Sequence, residues 1–356
     1  MSPSLAATFA VALVCLLSLS QAQPHPFSVH DMIELDRVGT PVLSPSGSRA
    51  LFTRWTYDFA TSRSSQSIWI TELTGSGNVS VPVTASPVGS SDFSPVWLDN
   101  SNIAFLSASR TSATVQVFTT AVSGGASPAQ LTNFPIGIDT IKVFTKQGVR
   151  MLGFTARVYP SSSLQETKDI DEQKAKDPSS ALAYDRLYFR HWDTFSDHKY
   201  SHLFVIPFAQ DSLGGYSVVA DPVDLLFGLE LETPVAPFGG DTDYDFSPDG
   251  FEAAFAALRP GLDQAWSTDT NIYLVNTTGV APPVAITEAN RAQDSLPLYS
   301  NDGNTIAYLA MRVCFFSSSF SAQKVVNCPL PNRFLSTRLT AGALLSITVP
   351  PRCIPP

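Results

Sequence analysis

Asp245-Phe246-Ser247-Pro248-Asp249-Gly250-Phe251-Glu252-Ala253-Ala254-Phe255 reads as a strand entering a tight turn and a second strand leaving it. Pro248 presets φ at about −65° for the first corner, and Asp249 and Gly250 complete the turn. The unit recurs along the chain. Ser44-Pro45-Ser46-Gly47 leads into Arg49–Phe52, and Ser94-Pro95-Val96-Trp97-Leu98-Asp99-Asn100 leads into Asn102–Leu106. Thr145-Lys146-Gln147-Gly148 leads into Arg150–Phe154, and Ser300-Asn301-Asp302-Gly303 leads into Thr305–Leu309. The starts at 44, 94, 145, 247 and 300 are separated by 50, 51, 102 and 53 residues, so the third step is two periods or one period with a large insertion. A hairpin unit repeating at this spacing predicts propeller blades, because each unit needs neighbours to cover its faces.

Behind each hairpin stands a second strand pair. Ser67–Leu73 precedes Val81–Thr84, Val115–Thr119 precedes Ala129–Thr132, His202–Ile206 precedes Tyr216–Val219, and Asn271–Val275 precedes Val284–Thr287. β-Branched and aromatic residues fill these runs, as half-buried strands require. The expected fold is all-β: an incomplete β-propeller of about four complete four-stranded blades and the start of a fifth, over 44–312, with a short helical insertion at about 160–190. Composition agrees. Of 356 residues 44% are hydrophobic and 15% charged, with 27 prolines and 20 glycines, which favours short strands and turns over long helices. The net charge of −9 and the absence of a basic run argue against nucleic acid as a partner.

Residues 1–22 read as a signal peptide. Leu5 to Leu19 is almost wholly apolar or small, and Ser20-Gln21-Ala22 offers small residues at the −3 and −1 positions of a cleavage site. The run is short for a membrane anchor, so a secreted, extracellular protein without membrane attachment is expected. Two sequons, Asn78-Val79-Ser80 and Asn276-Thr277-Thr278, lie in polar turns and make Asn78 and Asn276 glycosylation candidates. Residues 23–43 form a lead-in segment in which Ser28 caps a short amphipathic helix.

The insertion is charged between Glu166 and Asp177 and then changes character at Leu187-Tyr188-Phe189-Arg190-His191-Trp192-Asp193, where polar and aromatic groups mix. The repeats, the lead-in segment and the Arg190-His191-Trp192-Asp193 run together resemble, over about 24–312, the N-terminal propeller of secreted fungal dipeptidyl-peptidases in the acylaminoacyl-peptidase-like branch of the prolyl oligopeptidase family of serine peptidases. The resemblance implies a propeller capping a C-terminal α/β-hydrolase domain that releases N-terminal dipeptides through a Ser-Asp-His triad, with peptide as the partner. His191, Trp192 and Asp193 become candidates for contact with that peptide; fixing the insertion by packing and hydrogen bonds is the competing role.

No catalytic residue is assigned. Acyl transfer of this kind needs a serine on a G-x-S-x-G elbow followed by Asp and His. That pattern does not occur in the 356 residues, and the five histidines, at 25, 30, 191, 198 and 202, all precede residue 313. The repeat pattern ends at Arg312. Residues 313–356 contain no Asp or Glu and carry Cys314, Cys328 and Cys353, the fourth cysteine being Cys15. Val313-Cys314 is encodable as GTATGT, a splice-donor hexamer. The tail is therefore expected to be intron read-through without structure, a natural short isoform with its own C-terminus being the rival reading, and the chain to be a truncated product, inactive alone. The alternative is a noncatalytic secreted propeller that acts as a binding module. An open propeller edge would favour self-association.

Asp241-x-Asp243-x-Asp245 with Asp249 and Glu252 approaches a calcium loop, but Phe246 stands where the loop needs Gly. His198 and His202 have a metal-ligand spacing only on a helix, whereas His202 opens a strand-like run. No metal and no cofactor is expected.

Overall fold

The Ser247 turn closes through its own side chains. Ser247 N–H donates to the Glu252 carbonyl at 2.9 Å and Gly250 N–H to the Ser247 carbonyl at 2.8 Å. Ser247 Oγ donates to Asp249 Oδ1 at 2.6 Å, and the same carboxylate oxygen accepts from Phe251 N–H at 3.0 Å. The Ser300 turn repeats this with Asp302 and Asn304, and the Ser44 turn with Ser46 in place of the aspartate. Gly47, Gly250 and Gly303 sit at φ 71, 74 and 69°, where an L side chain is strained. The third hairpin differs: Gln147 and Gly148, at φ 51 and 79°, form a two-residue loop of the type that matches strand twist.

A computed structural model describes residues 26–311, apart from 76–78, 109, 111–113, 126, 186 and 188, together with 324–327. The expected signal peptide, Asn78, all four cysteines and the rest of the tail lie outside the described residues. The described chain is mostly β, with two α-helices, Val29–Glu34 and Leu164–Ala175.

Consecutive strands pair antiparallel in five meanders. The first comprises Val42–Leu43, Arg49–Asp58, Arg63–Glu72 and Ser80–Pro82. The second comprises Ser91–Trp97, Asn102–Ala108, Gln116–Ala121 and Ala129–Gln130. In the third, Thr140–Lys146 pairs Val149–Val158, which pairs Tyr200–Gln210 directly, so the long third step is one unit with an insertion. Tyr216–Val218 and Val223–Asp224 then pair Tyr200–Gln210. The fourth comprises Tyr244–Phe246, Glu252–Leu258, Thr270–Asn276 and Val284–Ala285. The fifth comprises Asp294–Tyr299, Ile306–Ala310 and Lys324–Asn327. This last strand lies within the segment expected to lack structure; for these four residues that expectation does not hold, because they continue the backbone ladder of Ile306–Ala310.

A second expectation is corrected at Ser94-Pro95. These residues lie inside the strand Ser91–Trp97, at a register shift between Phe93 and Val96, and the turn itself is made by Asp99, whose Oδ1 accepts from Ser101 and Asn102 N–H. The fifth meander has the same device at Leu296-Pro297, between Ser295 and Leu298. Proline lacks the N–H that a ladder needs, and a bulge is where its absence is tolerated.

The second strand of each inner meander feeds two cores at once. Ile103 and Phe105 pack with Leu51 and Ile68 of the first meander, whereas Ala104 and Leu106 pack with Leu152 and Phe154 of the third. Ala253, Phe255 and Ala257 face Met151 and Val205, whereas Ala254 and Ala256 face Tyr299 and Tyr308. Each inner sheet is thus covered on both faces by its neighbours in the chain, which is why these strands are apolar without alternation. A buried threonine repeats as well: Thr84, Thr132 and Thr287 accept from the N–H of Ile68, Val117 and Ile272, tying fourth strand to third.

The turns also touch in sequence order. Ser46 N–H donates to Asn100, Arg150 reaches Asp99, and a Cβ on Gly250 would lie 2.4 Å from the Thr145 carbonyl oxygen. Around Gly47 nothing stands within 4 Å. Gly47→Ala should therefore cost about 1–2 kcal/mol, the backbone strain alone, and Gly250→Ala about 2–4 kcal/mol, because strain and overlap add. Denaturant midpoints of the two variants check this; equal losses would mean that the turn-to-turn contact is slack.

Candidate functional site

The insertion leaves the third meander after Val158 and returns at Tyr200. Ser163 and Glu166 form a reciprocal capping box that starts its helix. Its base is fastened by Tyr159, which donates to Asp171 Oδ1 at 2.9 Å and accepts from Lys174 at 2.9 Å. Burial and the neighbouring Asp171 push the Tyr159 hydroxyl up to about 12, so it remains a donor. Lys199 adds a 2.9 Å bond to Asp171, and Arg157 a 2.8 Å bond to Asp197. Past the helix, Tyr184, Phe189, Phe195 and His198 make a small ring cluster beneath a two-stranded hairpin, Arg190–His191 with Thr194–Phe195.

That hairpin carries the three candidate residues and separates them. His191 is half-buried and lines a cavity of about 560 Å³. Trp192, left-handed at φ 56°, stands at the tip, 72% exposed, with its ring edge-on to Phe238 at 5.8 Å. Asp193 is exposed and does not line the cavity; its carboxylate accepts from the Thr194 hydroxyl at 3.2 Å. The cavity lies between the fourth and fifth meanders. Ala256, Leu258, Leu296 and Leu309 supply apolar wall, the loop 235–239 and Trp266 enclose it, and Asp243 contributes a carboxylate. Burial holds the Asp243 carboxyl above its ordinary range, and its Oδ2 accepts from Val235 N–H at 2.9 Å. Phe238 and Trp266 carry a signal that lies outside the hairpin repeat: an aromatic residue in a Pro/Gly or polar loop, beyond every strand pattern.

The acidic run does not assemble. Asp243 bonds Val235, while Asp245 pairs with Lys142 at 3.4 Å and accepts from Tyr299 N–H at 2.9 Å. Among the described residues no group of three His, Cys, Asp or Glu side chains could hold a metal. His198 and His202 are separated in role: His198 belongs to the ring cluster, and His202 is buried against Asp224. Asn276 ends a strand, half-buried, with its Oδ1 accepting from Thr278 N–H at 2.9 Å. No helix among the described residues is long and apolar enough to cross a membrane.

Glu232, near the root of the insertion, is raised to about 7 by burial, although Arg157 lies 3.8 Å away. A carboxyl raised on folding keeps its proton in the folded state while the unfolded chain has released its own, so stability falls as pH rises from the ordinary carboxyl range to about 7. Asp294, raised to about 6, acts with the same sign. Glu232→Gln should stabilise the fold by about 1–3 kcal/mol at pH 8 and by nothing at pH 4. Melting curves at the two pH values decide; an equal gain at both would assign the effect to packing.

No protein-family model matches the chain. Among curated relatives, the probable dipeptidyl-peptidase 5 of Emericella nidulans is 29% identical over 319 residues, covering 83% of this chain and 41% of the relative. This chain is homologous to the N-terminal part of dipeptidyl-peptidase 5. The dipeptidyl-peptidase 5 of Aspergillus fumigatus is 28% identical over 79% of the chain, and that of Schizosaccharomyces pombe 25% over 85%. The chain spans about two fifths of the length of these relatives. Among solved structures, the acylaminoacyl peptidase of Pyrococcus horikoshii aligns through its propeller domain with a TM-score of 0.53, over 85% of this chain and 39% of the other at 11% identity, a likeness of fold alone.

Proposed function

We propose that the chain is the N-terminal propeller portion of a secreted, glycosylated serine-type dipeptidyl-peptidase. Its five meanders are four four-stranded blades and the beginning of a fifth. In the whole enzyme this portion selects which peptides reach a hydrolase domain, and it has no peptidase activity alone. The observation that carries the reading is the dipeptidyl-peptidase 5 homology, over about two fifths of the relatives' length, together with a row of sheets of which the inner ones are covered on both faces. The five insertion-side residues Arg157, Tyr159, Asp171, Asp197 and Lys199 support it by holding a hairpin over a cavity.

Sequencing the mature transcript across the codons for Arg312 and Val313, and expressing what it encodes, tests the reading. A message that joins Arg312 to further propeller and a G-x-S-x-G segment, with a product that releases dipeptides, is the expected result. A message that retains the tail, with a product that binds peptides and cleaves none, would replace the peptidase reading with a noncatalytic binding module.

A further inference from the structure

We infer that the cavity beside the insertion hairpin is a subsite for one bulky apolar side chain of a peptide, an aromatic one by preference; this rests on reading the chain as the peptide-handling part of a peptidase. The strand rings Phe105, Phe118, Phe154, Phe208 and Phe255 are all essentially inaccessible, while rings such as Phe27 and Phe227 are exposed elsewhere on the surface. The most exposed Phe and Trp rings among the described residues stand beside the cavity. Trp192, Phe238 and Trp266 are 72, 81 and 74% exposed, and they come from three separate loops. Phe238 and Trp266 line the cavity and Trp192 stands against Phe238 at its rim; rings left in water by folding at a concave place mark a binding surface.

The geometry suits a planar guest. Trp192 and Phe238 already meet edge-on at 5.8 Å, with Trp192 held out by a left-handed turn whose hairpin is fastened below. Trp266 follows the short helical turn Leu262–Ala265 and lines the cavity with Phe238. Ala256, small and in a second strand, leaves depth where a larger residue would fill it, and about 560 Å³ admits one side chain with part of the backbone on either side. Charge narrows the guest further. Among the described residues the lining includes Asp243 and His191 but no Lys or Arg, so no permanent cation there compensates an anionic side chain. Gln293 and Ser267, on the same lining, carry the amide and hydroxyl groups that a peptide backbone needs.

The full chain should be titrated with the tripeptides Gly-Phe-Gly, Gly-Ala-Gly and Gly-Asp-Gly, followed by tryptophan fluorescence and calorimetry. Gly-Phe-Gly should bind about tenfold more tightly than Gly-Ala-Gly, with Gly-Asp-Gly weakest. Trp266→Ala and Trp192→Ala should each remove most of that preference, and Trp266→Phe should restore it. Both tryptophans are exposed, so melting midpoints should stay unchanged. Equal binding of the three peptides, no ring-dependent binding, or a preference that survives both alanine variants would overturn the inference. Ring-selective binding by a gene product that releases no dipeptides would keep the subsite and remove the peptidase reading; dipeptide release without ring selectivity would do the reverse.

Discussion

His202→Leu should destabilise the fold by about 3–5 kcal/mol, although leucine nearly matches histidine in size. His202 is fully buried in the strand Tyr200–Gln210. Its Nε2 lies 3.0 Å from the Leu229 carbonyl, an acceptor, so Nε2 donates; its Nδ1 lies 2.8 Å from Asp224 Oδ2. The other oxygen of Asp224 accepts from Leu226 N–H at 2.8 Å. One imidazole therefore ties together the segment that places Leu225, Leu226 and Leu231 in the core between the third and fourth meanders. Leucine leaves the Asp224 carboxylate and the Leu229 carbonyl without their partner in a site that water barely reaches, and the unpaired carboxylate dominates the loss. Adding Asp224→Asn, which removes the charge and keeps an acceptor for Leu226, should recover part of it. A double-mutant cycle in denaturant measures this; a single variant within about 1 kcal/mol of wild type would show that the pair contributes little net stability.

Phe154→Ala should cost about 3–5 kcal/mol for a different reason, the cavity it opens. Phe154 has no solvent exposure and stacks between Phe134 at 5.0 Å and Phe204 at 5.1 Å. Neither neighbour is free to fill the gap: Phe204 is paired through its backbone with Phe154 itself, and Phe134 is tethered by its N–H to Gln116 Oε1 at 3.0 Å. Phe154→Leu, closer in volume, should lose about 1–1.5 kcal/mol. Equal losses for the two variants, read from denaturant midpoints, would show that the site collapses around either side chain.

Much of the fold was legible because the turn chemistry is local. Ser247, Asp249 and Gly250 bond to one another within six residues, so their spacing alone announces a hairpin, and the same holds at Ser44 and Ser300. The insertion was legible for the same reason, since its charged run and capping serine need no distant partner. Ser94-Pro95 misled because a proline that opens a turn and a proline that sits in a bulge look alike until the partner strand is in place. Of the candidate site, the hairpin run 190–193 was found as a mixture of polar and aromatic residues, but its partition into a cavity-lining His191, an exposed ring at Trp192 and an uninvolved Asp193 was not visible there.

By itself the amino-acid sequence determined the repeating antiparallel hairpins, their strand order within each unit, the place of the insertion, and the absence of a G-x-S-x-G elbow from these 356 residues. Tertiary structure alone decided which face of each strand meets which neighbour, the pairing of His202 with Asp224, and the contact of Trp192 with Phe238 beside a cavity that Phe238 and Trp266 line. The physical reason is range. Turn hydrogen bonds act between residues a few positions apart and leave a spacing in the sequence. In strands apolar on both faces no alternation records which neighbour each face will meet, and loops joined only through packing leave no periodic trace at all.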